Sequence, residues 1–179
     1  TEHTPNGRLL VYDPITQKTT TLLSGLYFAN GVALSSDESF VLVNETLMYR
    51  IQKYWLKGDK AGTSEIFIEN LPGFPDNVSS NEEGIFWVAL FNPRNNFVEM
   101  SSNKPFLRKI VFRLPELLQP QPINHSFVLG LNEDGKVVHN LQYQANEAYS
   151  PITSVKQYND TLYFGSLTHP GWGKIEVPK

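Results

Sequence analysis

Three stretches of this chain superimpose without a gap: NGVALSSDESFVLV from Asn30, DNVSSNEEGIFWVA from Asp76 and TSVKQYNDTLYFGS from Thr153. In each, a polar residue opens a short strand, a polar turn follows, and an aromatic or apolar run begins at Phe40, Phe86 or Tyr163. A repeated supersecondary unit constrains a fold more than any single motif, because each unit buries its apolar face only by stacking on the next. The first two units start 46 residues apart, the period of a four-stranded propeller blade. The third starts 77 residues further on, which calls for an insertion at about residues 94–127.

Between these units lie further strand pairs. Runs rich in Val, Ile, Phe, Tyr and Thr alternate with Gly, Pro, Asn and Asp clusters, the pattern of an all-β chain. GRLLVYD with KTTTLLSGL, YRIQKYWLKG with TSEIFIENL, and the repeats themselves read as hairpins. A short helical turn is placed in LPELLQPQPINHSF before its prolines break it. A β-sandwich of repeated hairpins is the alternative, but the repeated unit keeps its polar strand-opening residue, which favours the propeller. On that reading Asn30, Asp76 and Thr153 leave one rim around one axis. The single domain, residues 1–179, comprises roughly three blades, and a closed propeller needs at least about four. The expectation is therefore the C-terminal half of a larger propeller.

Composition narrows the function. The net charge is −3, and no basic surface signals nucleic acid. There is no cysteine, so disulfides and thiolate metal sites are excluded within the chain. No apolar run reaches the ~18 residues of a membrane-spanning helix. Asn-x-Ser/Thr triplets stand at Asn44, Asn77, Asn124 and Asn159, which makes glycosylation an expectation at Asn44, Asn124 and Asn159.

GRLLVYDPITQKTTTLLSGLYFANGVALSSDESFVLVNET, YWLKGDKAG and ENLPGFPDN resemble the strictosidine synthase-like family. The likeness is greatest to its animal membrane-associated members, and weakens between Asn92 and Tyr149. It implies a six-bladed propeller distantly related to paraoxonases and gluconolactonases, with an N-terminal membrane anchor and the missing blades outside this sequence. It also implies a lumenal or extracellular location and a calcium site whose ligands here are Asn30, Asp76 and Asn77. These residue types suit the ion, because calcium takes roughly 6–8 oxygen ligands. Three are too few, and the resemblance assigns the rest to blades beyond this chain. The catalytic Glu of plant strictosidine synthases falls at Thr153, and threonine is no carboxylate base near neutral pH.

Each candidate has a plainer reading. Asn30-Gly31 is a strong turn dipeptide. Asp76 after Pro75 is also turn chemistry, and Asn77 is ligand, glycan acceptor or turn residue. Of His3, His125, His139 and His169, none opens a strand in the repeat frame. Phe74 and Tyr149 precede strand openings and are candidates for a substrate pocket or for core. The expected function is calcium-dependent hydrolysis of a small ester or lactone. The alternative is a non-enzymatic glycosylated propeller with structural calcium that binds a protein partner. Strictosidine synthase-type condensation is disfavoured by Thr153.

Overall fold

The computed structural model describes residues 4–94 and 124–178. Among them the chain forms thirteen strands in four antiparallel sheets. β1 (Gly7–Asp13) pairs with β2 (Lys18–Leu26). The second sheet runs β3 (Ala29–Leu34), β4 (Phe40–Glu45), β5 (Arg50–Trp55), β6 (Ser64–Ile68), with one 3-10 turn at Thr46–Met48. The third runs β7 (Gly73–Ser80), β8 (Ile85–Pro93), β9 (His125–Asn132), β10 (Val137–Gln144). The fourth runs β11 (Ile152–Tyr158), β12 (Thr161–Ser166), β13 (Gly173–Glu176).

The sheets stack face to face in chain order, and the apolar pattern of the second strand in each shows why. β4 is buried along its whole length. Its Val41 and Val43 pack with Leu9 and Leu26 of the first sheet, while Phe40 and Leu42 pack with Val78, Phe86 and Val88 of the third. β8 repeats the device: Phe86, Val88 and Leu90 face back toward the second sheet, and Trp87 and Ala89 face Ile152, Val155 and Leu162 of the fourth. A strand buried on both faces reads as a continuous apolar run rather than an alternation, as FVLV and IFWVAL do. β3, β7 and β11 each form one edge of their sheet, and β7 packs against both of the others. This radial stack with its inner strands gathered together is a β-propeller architecture.

The hairpins read from the sequence are present as β1–β2, β3–β4, β5–β6, β7–β8 and β11–β12, and β13 takes up the GKIE segment. Sequence reasoning misses β9–β10. Its signal is the Asn132–Lys136 turn, in which Gly135 adopts φ +78 and lies so close to the Phe67 carbonyl that a Cβ would collide with it. Of the insertion expected at 94–127, His125–Phe127 instead open β9. The rest of it, with the helical turn expected there, lies outside the described residues apart from Arg94 and Asn124.

Candidate functional site

The three strand-opening positions of the repeat share a backbone irregularity. Pairing breaks between Ala29 and Val32 in β3, between Pro75 and Val78 in β7, and between Ile152 and Ser154 in β11. Asn30, Asp76 with Asn77, and Thr153 occupy those breaks. A bulge frees residues from the ladder and re-aims their side chains, so equivalent places in three sheets present polar groups at one rim.

Asn30 and Asp76 meet: Asn30 Nδ2 donates to Asp76 Oδ1 at 2.6 Å. Their strands approach closely because Gly31 lacks a side chain; a Cβ there would lie 2.5 Å from Val78 N and 2.7 Å from Asp76 O. Burial raises the Asp76 pKa, and the bond from Asn30 opposes that rise. No Lys, Arg or His among the described residues pairs with the Asp76 carboxylate. Asn77 reaches the other way, its Nδ2 donating to Thr153 O at 2.8 Å. Thr153 is buried, and its hydroxyl donates to Gly165 O at 3.3 Å within its own sheet.

A second layer holds this pair, and sequence reasoning assigns it no such role. Asn44 at the end of β4 donates Nδ2 to Asp76 O at 2.8 Å, and Thr46 Oγ1 donates to Pro75 O at 2.7 Å. Thr46 Oγ1 also accepts from Asn30 Nδ2 at 3.3 Å. Glu45, fully buried on the opposite face of β4, accepts from Tyr27 N at 2.9 Å and pairs with Arg50. Side chains thus satisfy the Pro75 and Asp76 carbonyls at the β7 bulge. The signal in the sequence is three polar residues, NET, directly after the buried run FVLV, where unpaired polar groups would be costly.

Asn44 therefore does not fit the glycan reading: it is wholly buried, and the amide nitrogen a glycan would occupy is bonded inside. Asn124 and Asn159 are exposed, the latter at the β11–β12 turn with φ 49. His125 and His139 lie on outer strands, stacked on Phe127 and Trp87 respectively. His169 packs on Tyr149 at 4.7 Å between ring centroids. His3 lies outside the described residues. Phe74 packs on Tyr49. Tyr149 does line a cavity of about 360 Å³, between β9–β10 and β12–β13, but none of Asn30, Asp76 and Asn77 lines it.

No side chain among the described residues donates to Asp76 Oδ2, Asn30 Oδ1 or Asn77 Oδ1. Asn44 Oδ1 is buried without a partner beside Asp76. One carboxylate and amide oxygens suit calcium rather than a softer metal. Among the described residues no three His, Cys, Asp or Glu side chains converge.

Comparison with known proteins agrees with this architecture. A family model described as strictosidine synthase matches residues 1–59. The chain is 41% identical to protein strictosidine synthase-like 10 of Arabidopsis thaliana, over 96% of this chain and 47% of that protein. It is 36% identical to adipocyte plasma membrane-associated protein of Bos taurus, over 94% of this chain and 42% of that protein. The chain thus spans about half the length of the curated relatives it matches. Among solved structures it resembles a gluconolactonase from Xanthomonas campestris (TM-score 0.57, 14% identity, 88% of this chain and 41% of that one). It also resembles the calcium-binding protein regucalcin from Agrobacterium tumefaciens (TM-score 0.56, 15% identity, 94% of this chain and 47% of that one). At such identities the structures show a shared fold.

Proposed function

From a chain that is strictosidine synthase-like in sequence and a β-propeller in fold, we propose a calcium-dependent hydrolase of the arylesterase or lactonase type. The observation that carries the proposal is the Asn30–Asp76 pair, which places a half-buried carboxylate and a free amide oxygen at one rim of the inner strands. Asn30, Asp76 and Asn77 would hold the ion through their side-chain oxygens, with further oxygens from the rest of the full-length protein. A calcium ion, when bound, supplies polarisation of an ester carbonyl and a seat for the oxyanion that develops on it. The chain's own part is to orient those oxygens and to keep Asp76 in a poorly hydrated position where it interacts strongly with a cation. Thr153, buried and bonded within its sheet, supplies no carboxylate to the condensation chemistry of plant strictosidine synthases.

A second reading rests on a specific observation. The same amides that would serve the ion also fasten sheet to sheet, Asn30 to Asp76 and Asn77 to Thr153. A calcium ion there would brace the inner strands of a non-enzymatic, protein-binding propeller. The likeness to plasma membrane-associated relatives supports a membrane-anchored location facing the secretory lumen or cell exterior. Asn124 and Asn159 are the acceptors that fit glycosylation, and among the described residues no helix is long and apolar enough to cross a membrane.

The test is the full-length protein, assayed for aryl ester and lactone hydrolysis with and without chelator, beside Asp76→Ala. Turnover lost in chelator and in Asp76→Ala, while both remain folded, supports the hydrolase. A wild type without turnover whose melting temperature falls in chelator supports the bracing role instead.

A further inference from the structure

We infer that Thr46 is a positioning residue for the candidate cation site, setting the orientation of the Asn30 amide so that Oδ1 is left as its free donor atom. The inference rests on the proposal that Asn30 and Asp76 hold a hard cation. It assigns a role to a residue outside the ligand set.

A threonine hydroxyl has one proton and accepts through its lone pairs. Thr46 Oγ1 gives that proton to Pro75 O at 2.7 Å, so toward Asn30 it acts only as an acceptor. It takes an Nδ2 proton at 3.3 Å, and Asp76 Oδ1 takes one at 2.6 Å. An ionised carboxylate likewise only accepts. Both neighbours of the Asn30 nitrogen are therefore acceptors. A flipped amide would set its oxygen against the Thr46 and Asp76 oxygens, with like partial charges facing each other.

Thr46 acts on the backbone as well. Its own N–H donates to Phe28 O at 3.2 Å, two residues before Asn30, where φ is +56. Its hydroxyl satisfies Pro75 O, next to Asp76. A residue only 8% exposed thus joins the turn into β3, the Asn30 amide and the bulge that presents Asp76. Partners that orient metal ligands in this way typically change metal affinity about 10–100-fold when removed.

The experiment compares wild type, Thr46→Val and Thr46→Ser in the full-length protein. Terbium(III) luminescence, competed with calcium, reads affinity, and side-chain amide NMR reads the Asn30 protons. Thr46→Val keeps the shape and loses both hydroxyl bonds; its expected affinity is down about 10-fold or more, with faster exchange of the Asn30 amide protons. Thr46→Ser restores the hydroxyl, and its expected affinity is within about 3-fold of wild type, since the charged donor Asp76 is unchanged. Wild-type affinity in a folded Thr46→Val overturns the inference while leaving the cation site standing, as does a Thr46→Ser as weak as Thr46→Val. A wild type that binds neither ion overturns the cation site and this inference with it. Should Thr46→Val fail to fold, the wild-type NMR decides: two distinct, slowly exchanging Asn30 amide protons support the inference, and a rapidly exchanging amide overturns it.

Discussion

At the scale of single residues, Glu45 and Asp76 show opposite settlements of a carboxylate away from water. Burial raises the pKa of Glu45, but Arg50, the Tyr27 N–H and Gln52 together outweigh it and hold the group below its ordinary 4.5. For Asp76 burial prevails over the one bond from Asn30. A carboxyl lowered in the folded state contributes stability that is fully present above its unfolded pKa and is lost as pH falls through the folded value. Glu45→Gln should therefore cost about 1.5–3 kcal/mol at neutral pH, the worth of hydrogen bonds to a charged group. The new amide would face donors from Arg50 and Gln52. Denaturant titrations of both proteins across pH 3 to 7 check the sign: the difference should shrink as pH falls through the carboxylate range, and a constant difference would count against the ion-pair account. The NET run was legible as polar residues after a buried strand, but which backbone each side chain would satisfy depends on a strand about 30 residues later.

At the scale of elements, the inner strands are held by a ladder of side chains as much as by apolar packing. From β7 and the residue after it, Asn77 donates to Thr153 O, Ser79 to Val155 O at 2.7 Å and Asn81 to Gln157 Oε1 at 3.2 Å. The alternation of donors is the period of a strand whose every second side chain faces the next sheet. The β3–β7 contact is made differently, through Gly31, where the nearest atoms are the β7 backbone. Gly31→Ala should force the two strands apart at a cost of about 1–3 kcal/mol, the usual range for overpacking, and urea melts of the full-length protein measure it. Since Asp76 moves with β7, the same variant should also weaken terbium uptake; an unchanged affinity would show that the site tolerates the displacement. The repeat announced these elements and their polar opening residues, and the structure added the bulge at each opening. It did not announce the β9–β10 hairpin, in which β9 is buried along most of its length and β10 is a largely exposed edge, and neither strand falls in the register of the repeat.

For the molecule as a whole, stability lies in the interfaces between sheets. Phe86 and Trp87 are neighbours in sequence, both fully buried, yet they belong to cores on opposite faces of one sheet. Trp87 adds a hydrogen bond from Nε1 to Gln157 Oε1 at 2.7 Å and a stack on His139. Trp87→Ala should cost about 3–5 kcal/mol, read by chemical denaturation. Hydrogen exchange should rise chiefly in β8 and β11, and loosening confined to the second sheet would contradict the assignment of Trp87 to the later interface. Lys53 links the second and third sheets electrostatically: its ammonium lies over Phe40, Trp55 and Phe67 and donates to Glu133 O at 3.1 Å. Burial holds its pKa below the ordinary lysine value.

Every strand but the β9–β10 pair, the stacked architecture and the three strand-opening positions were legible in the amino-acid order alone. Those follow from local periodicity and from a repeat visible in one dimension. Packing between sheets set the rest: Asn44 faces Asp76 rather than a glycan, Thr46 bonds both site-bearing strands, and Asn77 gives its amide nitrogen to Thr153. The reason is physical. A side chain's type and its face on a strand are set by its neighbours in the chain, whereas its partner is set by the atoms another sheet brings opposite it.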